Sequence, residues 1–428
     1  MKSTMRTVMA TACLTLMPGA ALAAGGECKG KIDQVRLIAQ GVPSVQHAEK
    51  YLDEFNAKWD TEVKITYLGE NERRAKSRLD ASTGAGAYHV YYIDEANVAE
   101  FASSNWIHPL AEALPAEYDI ADFRVDLSNV AKYEGVQYFA PLFGGGDLMM
   151  YRADLLEAAG IEPPKTLDEL VAAIKKVHSP DDKIYGWTAR GQRGSGMNVW
   201  RWTPFFRAMG GEWLDDGNPA FNSEAGVKAT ELYAGLMDYA PPGVGTFTWS
   251  DSVEAFRSGQ VVFAIESAVL GLWMEDEEKS VVAGKIGYAP PPDPLPSAGY
   301  AHGLAVSKVA ANDGCEKLVA SDLVGWMTSK EMEARRVADG ITSDIGRQST
   351  LNSEGYLAGV PKQYVSAIEE AGPKTNLLIM ASPSWPEIGD NLGLVLEEVF
   401  TGGRSDIAGA LDEAAFNAED VLRRADRN

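Results

Sequence analysis

The 428-residue sequence predicts an α/β fold, and three observations carry that prediction. Short β-branched and aromatic runs alternate with helical segments over the first hundred residues. A second series of extended and helical segments begins near Val136. Beyond the N-terminal leader, no apolar stretch reaches the ~20 residues needed to cross a bilayer. Strand-helix alternation of this kind indicates a largely parallel sheet covered by helices.

In order, Ile32 to Ala39 reads as a strand, with a turn at Gly41-Val42-Pro43. Ser44 is placed to cap a helix running to Trp59, whose apolar face is Val45, Ala48, Tyr51, Leu52 and Phe55. Val63 to Tyr67 is the second strand, Glu70 to Ser82 a charged helix, and His89 to Ile93 a third strand that ends at Asp94. Val136 to Pro141 and Leu148 to Arg152 are extended, and Asp154 to Gly160 is a helix closed by glycine. Thr166-Leu167-Asp168-Glu169 is a capping box that opens a helix to His178. Five prolines between Tyr288 and Ser297 make a rigid connection before the strand Ala301 to Ser307. Cys315 to Thr328 reads as an amphipathic helix. The last 40 or so residues are helical, with Leu394, Val395, Val399, Leu411 and Val421 as core candidates.

The N-terminus reads as a secretory leader, residues 1–23. Lys2 and Arg6 start it, Thr7 to Met17 is mostly apolar, and Ala21-Leu22-Ala23 offers a cleavage site near Ala23. Cleavage of 23 of the 428 residues leaves 405, enough for two or more domains. The expected product is a soluble protein in the periplasm. The net charge of −22 becomes −24 when Lys2 and Arg6 are lost, a balance that disfavours nucleic acid and anionic membranes as partners. Of three cysteines, Cys13 leaves with the leader, so Cys28 and Cys315 are expected to form a structural disulfide, with two separate thiols as the alternative. Bridging them would close nearly the whole chain, worth roughly 5 kcal/mol in the chain-entropy model.

The sequence lacks the Gly-rich nucleotide loops and the Gly-x-Ser-x-Gly elbow of hydrolases. His47, His89, His108, His178 and His302 show no metal-ligand spacing. No cofactor, metal or catalytic residue is expected, and these absences favour a binder. Several tryptophans stand in polar or Gly-rich settings, notably Trp200, Trp249 and Trp385. An aromatic ring covers the C–H face of a sugar or polyol, while Asp, Glu, Asn and Arg satisfy its hydroxyls. Asp94 and Glu266 follow apolar runs, at the strand ends where open α/β sheets bind ligands. Asp94 could equally cap the next helix.

The stretch Gly135-Val136-Gln137-Tyr138-Phe139-Ala140-Pro141 continues through Leu148-Met149-Met150-Tyr151-Arg152-Ala153-Asp154-Leu155. It then runs into Ala159-Gly160-Ile161-Glu162-Pro163-Pro164-Lys165-Thr166-Leu167-Asp168-Glu169-Leu170. With Gly259 to Ile265 and His302 to Lys308, it resembles the extracellular solute-binding proteins of ABC importers. The branch is the carbohydrate and polyol one (maltose-binding-protein-like, family 1), with leucine in place of the usual tryptophan at 167. Phe143-Gly144-Gly145 and Ala189-Arg190-Gly191 are similar to the subgroup that takes polyols and small sugars, whereas Gly41 to Ser44 departs from it.

The resemblance implies a two-lobed periplasmic-binding-protein fold, type II-like, with hinged lobes each built on a mixed, mainly parallel sheet. The first lobe would comprise 24–141 and 303–344 and hold both cysteines; the second would comprise 142–302 and 345–428. Hinge crossings would fall near Pro141, near Gly303 and between Thr342 and Arg347. A ligand pocket between the lobes would draw on Glu70, Asn71 and Asp94 from the first lobe. Gly145, Asp147, Arg190, Asn198 and Trp200 would come from the second, and Trp249, Glu266, His302, Arg347 and Trp385 would complete it. The implied partners are a small sugar or polyol and a membrane permease, with a monomer as the default. Three alternatives stay open: an anionic sugar derivative (sugar acid, phosphate or sulfonate) clamped by Arg190, Arg193 and Arg347, a secreted glycoside hydrolase, and an envelope protein with a vestigial cleft.

Overall fold

A computed structural model describes residues 26–115, 118–425 and 427; the expected leader, 1–23, lies outside them. Two sheets organise the chain, and their strands are β1 (Gln34–Ala39), β2 (Glu62–Tyr67), β3 (Val90–Asp94), β4 (Ala140–Gly145), β5 (Asp147–Arg152), β6 (Tyr185–Trp187), β7 (Val261–Ser267), β8 (Ile286–Ala289) and β9 (Tyr300–Val306). The first sheet has the order β2-β1-β3-β9-β4 and the second β8-β5-β7-β6. In the first, β1 runs parallel to β2 and β3, while β9 is antiparallel to β3 and β4. In the second, β7 is parallel to β6 and antiparallel to β5, which also pairs antiparallel with β8. The sheets are therefore mixed as expected but not mainly parallel: returning strands β5, β8 and β9 pair antiparallel with their neighbours. Strands β3 and β7 are buried along their whole length, which is why they read as unbroken apolar runs rather than alternating ones.

The chain passes from the first sheet to the second at Gly146 and returns through the proline-rich segment between Ala289 and Tyr300. Leu142–Gly145 and Tyr300–His302 therefore belong to the first sheet. Tyr300 lies opposite Gly145, and Gly303 opposite Ile93 and Pro141. Gly303 is required there, because a Cβ would collide with the carbonyl of Ala140. A bulge between His302 and Gly303 turns His302 toward the space between the sheets.

Three local expectations change. Ser44 does not cap a long helix: Pro43–Glu49 and Leu52–Trp59 are separate helices, and the amide of Ser44 donates to Asp344 Oδ2 at 2.8 Å. Val136–Gln137 is a short hairpin arm distinct from β4. Leu394 is exposed, because the buried face of helix Trp385–Phe400 runs through Leu392, Val395, Leu396 and Val399, one step out of phase with it. The Thr166 capping box forms as read, with Thr166 Oγ1 accepting from the Glu169 amide at 3.2 Å. Cys28 and Cys315 form a disulfide across 287 residues, so the two-thiol alternative falls.

Candidate ligand site

The carboxyl ends of β3 and β7 approach one another across a narrow cavity with about 40 Å³ of free volume, small beside the roughly 300–1,000 Å³ common for small-molecule sites. Trp200, Trp249, Trp273, Phe143 and Tyr300 supply its aromatic surface. Glu70, Glu95, Gln40, Ser267, Arg190 and His302 supply its polar groups. Trp249 begins a helix (Trp249–Arg257) whose capping box, Thr248 with Asp251, fixes where the ring projects. It meets Trp273 edge-on, with centroids 5.5 Å apart. Apolar planes beside hydrogen-bonding groups are what a molecule with C–H faces and hydroxyl edges requires.

Charge is matched behind this surface. At the end of β3, fully buried Asp94 accepts from Arg73 Nη2 and, at 3.0 Å, from Arg74 Nε. Both arginines come from the helix Glu70–Thr83. Burial acts to raise the Asp94 carboxyl, but Arg74 and Arg73 overcome it and hold the group well below the usual carboxylate range. At the end of β7, Glu266 accepts from Arg190 in a two-pronged pair, Nε to Oε1 at 2.7 Å. Burial there is likewise outweighed, by Arg190 and then Arg201, and Glu266 stays ionised. Arg190 also donates to the carbonyl of Gly196 at 2.8 Å, which fixes the Gly-rich turn against the cavity.

Two titratable groups stand apart from these pairs. Burial, then the neighbouring Asp94 charge, pushes Glu95 up to about 8. Burial lowers His302 to about 3, so its ring is neutral. His302 Nδ1 shares a hydrogen bond with Tyr92 Oη at 2.9 Å. The two walls touch at the rim, where Asn71 Nδ2 donates to the carbonyl of Arg193 at 2.9 Å and Glu70 and Arg74 face Gly196. A side chain at Gly196 would meet the ends of both side chains and displace them.

Of the residues expected in the pocket, Glu70, Arg190, Trp200, Trp249 and His302 line the cavity, and Asp94 and Glu266 stand behind it as ion-pair partners. The others lie away from the cavity. Trp385 is fully buried in the core, its ring edge-on to Trp213 at 4.8 Å. Arg347 is buried between Tyr118 and Phe123 and donates to the carbonyl of Thr328 at 2.9 Å. Asn198 ties Gly191 to Gly393 through their carbonyls. Asp147 is buried against Arg201 at 2.8 Å, and Gly145 sits at the strand crossing. Asn71 lies in the outer groove rather than the cavity. Glu95, Gln40, Phe143, Trp273 and Tyr300 were missed. Only Glu95 carried a usable signal, since it directly follows a strand-ending aspartate.

Among the described residues, no group of three or more His, Cys, Asp or Glu side chains could hold a metal ion. No helix among them is long and apolar enough to cross a membrane.

Comparison with known proteins gives this geometry a setting. The sequence is 25% identical to the mannitol-binding protein of Pseudomonas aeruginosa, over 95% of each chain. Its fold superposes on an ABC-transporter solute-binding protein of Agrobacterium radiobacter K84 in complex with ribitol, with TM-score 0.84 and 26% identity over 92% of this chain and 99% of the other. It also superposes on one of Agrobacterium vitis S4 with bound D-mannitol, with TM-score 0.81, 25% identity and the same coverage. The family model for the bacterial extracellular solute-binding proteins matches residues 43–334. That match spans more than half of the sequence, and the chain belongs to the bacterial extracellular solute-binding proteins.

Proposed function

We propose that this chain captures a small neutral polyol or sugar between its two lobes and presents it, unchanged, to the permease of an ABC importer. The observation that carries the reading is the cavity itself: aromatic planes and acidic hydrogen-bonding groups, with every nearby arginine already matched by an acid. The mannitol- and ribitol-binding relatives support the same class. Closure fits the geometry, because Glu70 comes from one wall and Trp200, Trp249 and Arg190 from the other, and only the closed form lets both touch one ligand.

The anion-clamp alternative loses its basis. Arg190 is consumed by Glu266, Arg193 faces the outer groove, and Arg347 is buried away from the cavity. We take lobe limits close to the sheet crossings, export through residues 1–23 with cleavage near Ala23, and a periplasmic location as parts of the same reading. A thermal-shift screen of the mature chain against D-mannitol, ribitol, maltose, D-gluconate and glucose 6-phosphate tests it. A ligand at 100-fold excess over its Kd adds about 2.7 kcal/mol. Stabilisation by neutral probes, with the ligand recovered chemically intact, is the expected result. Stabilisation by the anions alone, or turnover of a bound glycoside, would sink it.

A further inference from the structure

Each acid at the head of the cavity has a guanidinium partner except one. Asp94 is held by Arg73 and Arg74, Glu70 by Arg74, and Glu266 by Arg190. Glu95, directly after β3, lines the cavity at 6% exposure, and among the described residues no lysine or arginine pairs with it. Its Oε2 accepts from the amide of Ala301 at 3.2 Å and stands 3.7 Å from His302 Nε2. Its Oε1 has no hydrogen bond to another described residue's side chain. The cavity therefore offers one spare carboxyl and no spare cation.

We propose that Glu95 sets the charge class of the ligand, presenting its carboxyl as a neutral group whose O–H donates to a ligand hydroxyl. This deepens the polyol reading and rests on it. The groups that face Glu95 are Asp94 on its own segment, Glu70 and Arg74 from the helix Glu70–Thr83, His302 from β9, and Arg190 across the cavity. Burial and Asp94 push the carboxyl up to about 8, with Arg74 pulling the other way, so the proton is retained at pH 7. His302 is neutral there and offers no counter-charge. With Oε2 occupied by Ala301, the remaining oxygen is the one free to donate. An incoming carboxylate or phosphate would instead add negative charge beside Asp94 and Glu70, with no unmatched cation to receive it. Such ligands are rejected by charge rather than by size.

The sign of the pH effect follows from linkage. The ligand-bound state holds the proton, so raising pH through the Glu95 titration removes it and weakens binding by up to about tenfold per unit. Below that titration the affinity is level.

Isothermal titration with D-mannitol and ribitol at pH 6.5, 7.5, 8.5 and 9, on the wild type and Glu95→Gln, tests the proposal. D-Gluconate and 1-amino-1-deoxy-D-sorbitol serve as charged probes, and melting curves are recorded in parallel. The wild type is expected to bind mannitol or ribitol about tenfold more weakly at pH 9 than at pH 7. Glu95→Gln, which keeps a donor and an acceptor, is expected to show no slope, and gluconate no binding to either protein. Titrating the wild type at pH 8.5 in two buffers of different ionisation heat gives a second readout needing no variant: net proton uptake on ligand binding. A level wild-type profile without proton uptake overturns the proposal, as does a slope that survives in Glu95→Gln. Preference for the amino polyol over mannitol also overturns it, since the carboxyl would then be acting as an anion. Failure of every neutral probe at pH 6.5 instead overturns the polyol reading and this inference with it, which separates that outcome from a level profile.

Discussion

The two walls of the cavity are built alike and finished differently. Each places a carboxylate at the end of a buried strand, Asp94 on β3 and Glu266 on β7, and each clamps it with arginine from a neighbouring element. On the second wall the account closes: Arg190 meets Glu266, and Arg201 meets Asp147. On the first wall Asp94 takes both Arg73 and Arg74, and Glu95 is left without a cation. A paired wall holds geometry, whereas an unpaired group held beside it is free to serve a ligand. Strand-end acids are thus not interchangeable, and the one committed to arginines is scaffold.

The comparison can be broken most directly at Arg190. Arg190→Met leaves buried Glu266 with only the longer contact to Arg201 at 4.0 Å and should destabilise by about 3 kcal/mol, measured by urea unfolding; a loss below 1 kcal/mol would show that the second wall is not held by this pair. Two tryptophans sharpen the contrast between scaffold and contact. Trp385→Ala should cost about 3–5 kcal/mol of stability with the Kd for mannitol unchanged. Trp249→Ala should weaken mannitol by about 1–3 kcal/mol, through lost stacking, with a smaller change in melting temperature. Equal effects of both on Kd would erase the distinction. The smallest effect is expected at the rim, where Asn71→Ala removes a hydrogen bond between the walls and should weaken binding by about 0.5–1.5 kcal/mol, seen in titration calorimetry.

Much of the fold was legible because its signals are local. The capping box at Thr166, the Gly160 helix end with its positive φ, and the apolar runs of β3 and β7 are statements about neighbouring residues, and each appears within a residue or two of where it was read. The site was legible only in part. Glu70, Arg190, Trp200, Trp249 and His302 carry polar or aromatic chemistry next to turns, which puts them at strand and helix ends facing the cavity. Trp385 carries the same local signature, Ser384 before it and Pro386 after, yet points into a core that the sequence neighbourhood does not reveal.

The sequence by itself determined the α/β class, most element positions, the cysteine pair available for bridging, and the family resemblance. The first three follow from composition, spacing or short-range backbone preference, and the resemblance rests on the motifs that carry it. The tertiary structure decided which acids are paired and which is free, where the chain crosses between sheets, and which tryptophans meet the cavity. The bulge at His302 and Gly303, the commitment of both Arg73 and Arg74 to Asp94, and the burial of Arg347 between two rings join residues up to 229 positions apart. Ion pairing and desolvation depend on distances in space, so the free carboxyl of Glu95 exists only once β3, β9 and the helix Glu70–Thr83 have come together.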